Sequence, residues 1–252
     1  MHRFYLPPNE SKSDLLLLGE REAHHASHVL RIRRGEKVMV LNGTGGELLC
    51  EVLDCQRKRV ELKVIDRKSI APLRFNITLL QALPKGKIIE SIIQKATELG
   101  VARIVPLLTE RVTTKLDDEG ADHKGGKWQQ VAIEAIKQCG AAWLPRVEAP
   151  VTPAEFLARK ENFDLPLIAS LQPGSRHPRE YFEAFRAKNG RAPRSVCIWI
   201  GPEGDFTATE VSAVEAGGAG PITLGKLVLR VETAAIYCLS ILNYELLVPS
   251  CD

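Results

Sequence analysis

Two glycine-bearing loops near the C-terminal end hold the residues best suited to chemistry. The first, Gly201-Pro202-Glu203-Gly204-Asp205-Phe206, follows the apolar run 195–200. The second lies within Leu224-Gly225-Lys226-Leu227-Val228-Leu229-Arg230-Val231-Glu232-Thr233-Ala234. Each follows an apolar, β-branched segment and precedes a helical pattern. Gly201, Gly204 and Gly225 leave no Cβ in the way, so main-chain N–H and C=O groups can approach a flat ligand. In α/β proteins ligands sit at the carboxyl ends of strands, and a helix that begins there offers unpaired N–H donors. One such loop reads equally well as an ordinary strand-to-helix turn. Two so close in sequence point to a cofactor site.

The elements that must position these loops alternate between strand and helix. Residues 75–83, 102–108, 165–169, 195–200 and 221–224 read as buried strands. Helical periodicity covers 87–99, 128–139, 178–188 and 232–247, and the last of these is apolar on more of its circumference than one packing face needs. Thr152-Pro153-Ala154-Glu155 and Thr207-Ala208-Thr209-Glu210 are capping boxes, the second directly after the Gly201 loop. Residues 115–127, polar and rich in glycine, read as a mobile surface loop. Alternation of this kind predicts an α/β fold with a mostly parallel sheet.

The first seventy residues differ in character. Segments 37–42, 47–53 and 59–65 read as short strands and 20–29 as one short helix, which suggests a small β-barrel. Periodicity lapses over 67–73, the expected linker, so the domains divide as 1–70 and 74–252. The chain carries thirteen Lys/Arg against ten Asp/Glu through residue 70, and 21 against 21 beyond it. The whole net charge of +3 therefore sits in the N-terminal part, densest at Arg31, Arg33 and Arg34 and at Arg57-Lys58-Arg59. Such runs are often only solvated faces; an acidic partner, if there is one, is nucleic acid.

Several classes are disfavoured. No stretch approaches the roughly 18 apolar residues of a membrane span, and the start lacks the apolar core of a signal peptide. Six cysteines are scattered with no C-x-x-C pair, which argues for reduced thiols in the cytoplasm. His24, His25 and His28 invite a metal reading, but no Cys or carboxylate cluster completes a ligand set, so no metal is expected. The motifs G-x-S-x-G, H-E-x-x-H, a P-loop and an early G-x-G-x-x-G are all missing.

The run Ile200-Gly-Pro-Glu-Gly204, followed by Leu224-Gly225 and Leu229-Arg230-x-Glu232-Thr233-Ala234, resembles the paired C-terminal motifs of the ribosomal RNA small-subunit methyltransferase E family, of the SPOUT class. Gln94-Lys-Ala-Thr-Glu-Leu-Gly100, the helix holding Glu134, Gln138 and Gly140, and His24-His25 through Gly35 extend the likeness over nearly the whole chain. The resemblance implies a PUA-like RNA-binding barrel and a SPOUT α/β domain with a trefoil knot. It implies S-adenosylmethionine as cofactor, and a homodimer formed through the knotted regions. The implied reaction is methylation of N3 of a uridine in 16S rRNA, within the small ribosomal subunit. Uracil N3–H is a weak acid, so its proton must be removed and the ring's negative charge stabilised. Arg230 and Lys226 are the candidate stabilisers, Glu203 and Glu232 the candidate bases. Against these stand structural roles: Glu203 as a helix cap and Glu232 as a partner of Arg230. Carried over for the cofactor are Leu171, Gly201, Gly204, Leu224, Gly225, Leu229, Arg230, Thr233 and Ala234; for RNA, the basic cluster offers Arg31, Arg33 and Arg34.

Two positions depart from the family pattern. Asp205 stands where a second glycine is usual, and Ala141 where an arginine usually follows Gln-x-Gly. A ribose 2′-O-methyltransferase is the alternative within the class, disfavoured because an early Asn-x-x-x-x-Arg segment is missing. A non-catalytic RNA-binding assembly protein is the alternative outside it, and it would show no affinity for the cofactor.

Overall fold

The computed structural model describes residues 1–112, 118–172 and 174–247; the side chains of Glu20 and 118–123 lie outside that description. The chain forms two compact units, Met1–Pro72 with Ile133–Leu144, and Leu73–Ala132 with Pro145–Asp252.

The first unit is built on a five-stranded mixed sheet. Its strands are β1 (Arg3–Tyr5), β2 (Leu15–Leu18), β3 (Lys37–Leu41), β4 (Gly46–Gln56) and β5 (Arg59–Ser69), in the order β1-β3-β4-β5-β2. Only the β1–β3 pair is parallel. Alternate residues of β3, β4 and β5 point inward, and Val38, Val40, Val52, Val60 and Leu62 meet Phe4 and Leu18 in a closed core. Two register shifts in the β4–β5 ladder, at Leu49/Cys50 and Val52/Asp54, add the local twist that curves a long hairpin. Helix α1 (Glu20–His24) runs into a π-helical turn at His25–Val29. The strand β5 reaches Ser69, so residues 67–69 are not linker as the periodicity had suggested. The far end of β5 is exposed on both faces, which removes the alternation without ending the strand. Arg67 fastens that end, its guanidinium donating to the carbonyls of Ser11, Lys12 and Ser13 at 2.8, 3.1 and 2.6 Å.

The second unit holds six strands, all parallel: β6 (Asn76–Ala82), β7 (Arg103–Leu107), β8 (Arg146–Val147), β9 (Leu165–Ala169), β10 (Ser195–Ile200) and β11 (Gly220–Ile222). Their order is β11-β9-β10-β6-β7-β8. Parallel strands covered on both faces read as unbroken apolar runs, and six of the seven residues of β6 are buried. Between the strands lie α2 (Ile88–Glu98), α3 (Asp118–Cys139), α4 (Pro153–Ala158), α5 (Pro178–Asn189) and α6 (Ala208–Ala216), and α7 (Val231–Leu247) follows the last of them. Both capping boxes form: Thr152 Oγ1 accepts from Glu155 N at 3.2 Å, and Thr207 Oγ1 from Glu210 N at 3.3 Å. Phe156, Trp199 and Phe206 meet edge to face under the sheet. Burial pushes the thiols of Cys197 and Cys238 up to about 12, so both are inert neutral core residues.

Helix α3 corrects the reading of 115–127 as a loop. Residues 118–127 are helical, and 115–117 lie outside the described residues. Glycine argued for a loop there, but the helix passes so near Ala149 that a Cβ on Gly125 would stand 3.4 Å from its Cα. Helix α7 carries apolar residues beyond its packing face, as its sequence suggested. Val231, Ala235, Cys238, Leu239, Leu242 and Leu246 are buried, while Tyr237, Tyr244 and Leu247 face outward.

Candidate functional site

The carboxyl ends of β9, β10 and β11 lie side by side, with Ile168 paired to Trp199 and Ala169 to Ile222. Three loops leave the sheet there and enclose a cleft of about 450 Å³. Leu171, Gly201, Leu224, Gly225, Leu229, Arg230 and Ala234 of the expected cofactor set line it, with Glu203 and Glu232. Gly204 and Thr233 do not. The Gly204 carbonyl instead accepts a hydrogen bond from Arg111 Nη1, and Thr233 is exposed on α7. Leu227 and Val228 also line the cleft, 76% and 80% exposed, and nothing in the sequence marked them. Aliphatic side chains this exposed at a cleft rim are an open apolar surface for a ligand.

Backbone conformation explains the residue types in both loops. Gly225 has φ +107°, outside the range of any side chain, and a Cβ there would point into open space. Its N–H donates to Thr223 Oγ1 at 3.2 Å. Gly201 has an ordinary φ, but a Cβ would lie 2.8 Å from Asp205 Oδ1 and 3.2 Å from Asp205 Cα. A valine at Gly201 would therefore push the loop against itself, whereas a valine at Gly225 fails by torsion alone.

Asp205 answers the departure noted above. It sits at φ +61°, the left-handed region that glycine enters freely and Asn or Asp enter next most readily. Its N–H donates to Pro202 O at 2.9 Å, and its Oδ1 accepts from Phe206 N at 2.8 Å. The turn that glycine would make is thus kept by a side chain that stabilises it locally.

The charged candidates are placed differently from one another. Glu203 is no helix cap, because Thr207 holds that position. Its Oε1 accepts from Lys85 N at 2.9 Å and ties the β6–α2 loop to the β10–α6 loop. Arg230 opens α7, its carbonyl accepting from Ala234 N at 2.8 Å, and its side chain is exposed. Glu232 stands in the first turn of α7. Among the described residues no ion pair joins Glu232 to Arg230, so the structural pairing considered for them does not occur. Lys226 is exposed in the Gly225 loop and does not line the cleft.

In the first unit Arg31, Arg33 and Arg34 are all exposed, and Arg31 takes a left-handed φ of 54°. Among the described residues none of the three has an acidic partner. Beside α1, the buried Lys137 ammonium donates to Glu22 Oε1 at 2.7 Å and pairs with Glu134 Oε2 at 2.9 Å. The rings of His24 and His28 stack with centroids 4.5 Å apart, and Ser27 Oγ lies 2.8 Å from His28 Nδ1. Among the described residues no group of three or more His, Cys, Asp or Glu side chains could hold a metal ion. Near Ala141, the Arg3 guanidinium donates to the carbonyls of Lys137 and Gln138 at 3.3 and 3.0 Å and closes the end of α3.

An RNA methyltransferase domain model matches residues 71–243, and an RNA methyltransferase PUA domain model matches 18–65. The ribosomal RNA small subunit methyltransferase E of Synechocystis is 32% identical, over 96% of this chain and 77% of the relative. That of Bacillus subtilis is 31% identical, over 89% and 88%. The Neisseria gonorrhoeae enzyme of the same name, solved bound to S-adenosyl methionine, superposes with a TM-score of 0.83 at 28% identity, covering 96% of both chains. A Legionella pneumophila protein solved with bound SAM gives 0.86 at 34% identity, again over 96% of each. With a family model covering more than half of the sequence and near-complete relatives above 30% identity, the chain belongs to the ribosomal RNA small subunit methyltransferase E family.

Proposed function

We propose that this protein is a cytoplasmic, S-adenosylmethionine-dependent methyltransferase acting on N3 of a uridine in the 16S rRNA of the small ribosomal subunit. The observation that carries the reading is the cleft enclosed by the Gly201 and Gly225 loops at the strand ends. Its volume falls within the roughly 300–1,000 Å³ usual for ligand sites. Glycine at 225 leaves the backbone bare toward open space, and Leu171, Leu227 and Val228 offer apolar walls. These residues suit a nucleoside with a charged tail. When bound, the cofactor supplies an electrophilic methyl group, and the protein's share is orientation and electrostatics. The residues proposed to hold it are Leu171, Gly201, Leu224, Gly225, Leu229, Arg230 and Ala234.

For the RNA side, Glu232 is the proposed base, since its carboxylate has no partner among the described residues and Glu203 already accepts the Lys85 N–H. Arg230 is the proposed cation that offsets charge on the uracil ring. Residues 1–70 are the proposed PUA-like RNA-binding domain and 74–252 the proposed SPOUT domain, its strand order compatible with a trefoil knot. Arg31, Arg33 and Arg34 would meet phosphates. Neutralising all three should flatten the salt dependence of RNA binding by about two units of log–log slope and leave cofactor binding intact. An unchanged slope would move the RNA surface elsewhere.

The active unit is proposed to be a homodimer formed through α7. Leu242, 1% exposed, belongs to the subunit's own core, so Leu242→Glu would unfold the protein rather than separate subunits. Tyr237 and Tyr244, 48% and 69% exposed, are the positions to change. Tyr237→Glu with Tyr244→Glu should yield a folded monomer in equilibrium sedimentation; a dimer that survives both rules out this face. Transfer of labelled methyl from S-adenosylmethionine to small subunits from a strain lacking the protein tests the activity. A cofactor-independent RNA-binding protein would transfer none.

A further inference from the structure

Asp205 is a non-glycine residue at φ +61° in a loop that lines the cleft. A turn of this kind needs only glycine, asparagine or aspartate, and asparagine would give the same torsion and the same Oδ1 acceptor for Phe206 N. The carboxylate therefore adds one thing to the turn, a negative charge. Oδ1 is spent on the Phe206 N–H, while Oδ2 has no hydrogen-bond partner among the described residues. The other charged groups lining the cleft are Glu203, Glu232 and Arg230, so with Asp205 three carboxylates face one guanidinium. Glu203 is already engaged by Lys85 N and Glu232 sits at the start of α7, which leaves Asp205 as the uncommitted charge of the Gly201 loop.

We infer that Asp205 is a specificity residue that makes the cleft favour the cationic methyl donor over its neutral demethylated product. The inference rests on the proposed cofactor. S-adenosylmethionine carries a carboxylate, an ammonium and a sulfonium, hence one net positive charge; once the methyl has left, S-adenosylhomocysteine is a zwitterion with none. A cleft with excess negative charge separates the two by Coulomb attraction, and a charge within a few ångströms in a water-filled site changes affinity by about three- to tenfold. Product release is thereby built into the same loop that holds the donor.

The test is calorimetric titration of the intact protein with each ligand in turn, for wild type, Asp205→Asn and Asp205→Gly. Asparagine keeps the turn and its Oδ1, and glycine enters the left-handed region freely, so both variants should fold. Removal of the charge is expected to weaken S-adenosylmethionine about three- to tenfold and leave S-adenosylhomocysteine unchanged, and the wild-type preference should shrink as salt is raised. Equal weakening of both ligands, or no change in either, would overturn the inference and leave Asp205 as a turn residue. Failure of wild type to bind either ligand would instead bring down the cofactor reading itself.

Discussion

Replacing Glu232 with glutamine is expected to lower kcat by about two to four orders of magnitude, the range spanned by general bases, while S-adenosylmethionine weakens by no more than the about three- to tenfold of one lost cleft charge. The expectation follows from position. Glu232 lines the cleft from the first turn of α7, and among the described residues it is not neutralised by Arg230. A carboxylate in a first turn is also favourable to the helix dipole, by about 0.3–1 kcal/mol. If that were its whole role, glutamine would cost a little stability and no rate. Thermal unfolding and single-turnover rates measured on the same preparations separate the two cases: a base loses rate at unchanged stability, a dipole partner loses stability at unchanged rate. Full activity in the glutamine variant would return the role to Glu203, whose Oε2 has no hydrogen-bond partner among the described residues while Oε1 holds Lys85 N.

Arg230→Ala should reduce kcat by about 10²–10³, the effect of removing one group aimed at developing charge. The Arg230 side chain is exposed at the cleft and its backbone carbonyl starts α7, so alanine spares the helix while deleting the cation. Lysine at the same position should recover part of the rate, because it restores the charge without the planar fork. The loss should appear in kcat with KM for RNA nearly unchanged. A rise in KM alone would make Arg230 a phosphate contact instead.

Much of this arrangement is legible in the residue order. The buried strands of a parallel sheet announce themselves as apolar runs, and the capping boxes at Thr152 and Thr207 fix two helix starts to the residue. The cleft could be located because glycine marks two of its three loops. What escaped has physical causes. Strands β1, β2 and β8 are two to four residues long, too short for any period to show. The start of α3 is hidden by glycines that normally argue against a helix. Leu227 and Val228 were given no role within the second loop, since nothing local says that an apolar residue will stand at a rim. The structural role weighed for Glu203 was a helix cap because its real partner, the Lys85 N–H, is 118 positions away in sequence. Asp205 read only as a departure from a glycine until its left-handed backbone gave it a reason to be there.

The proposed activity is a methyl transfer to one uridine. Nucleoside mass analysis of 16S rRNA from a strain lacking the protein, before and after incubation of its small subunits with purified enzyme and S-adenosylmethionine, tests it most directly. N3-methyluridine should be absent before incubation and appear afterwards at a single position, and the Glu232→Gln variant should restore almost none. A methyl group that appears on a ribose 2′ oxygen, or no cofactor-dependent gain at all, would contradict it.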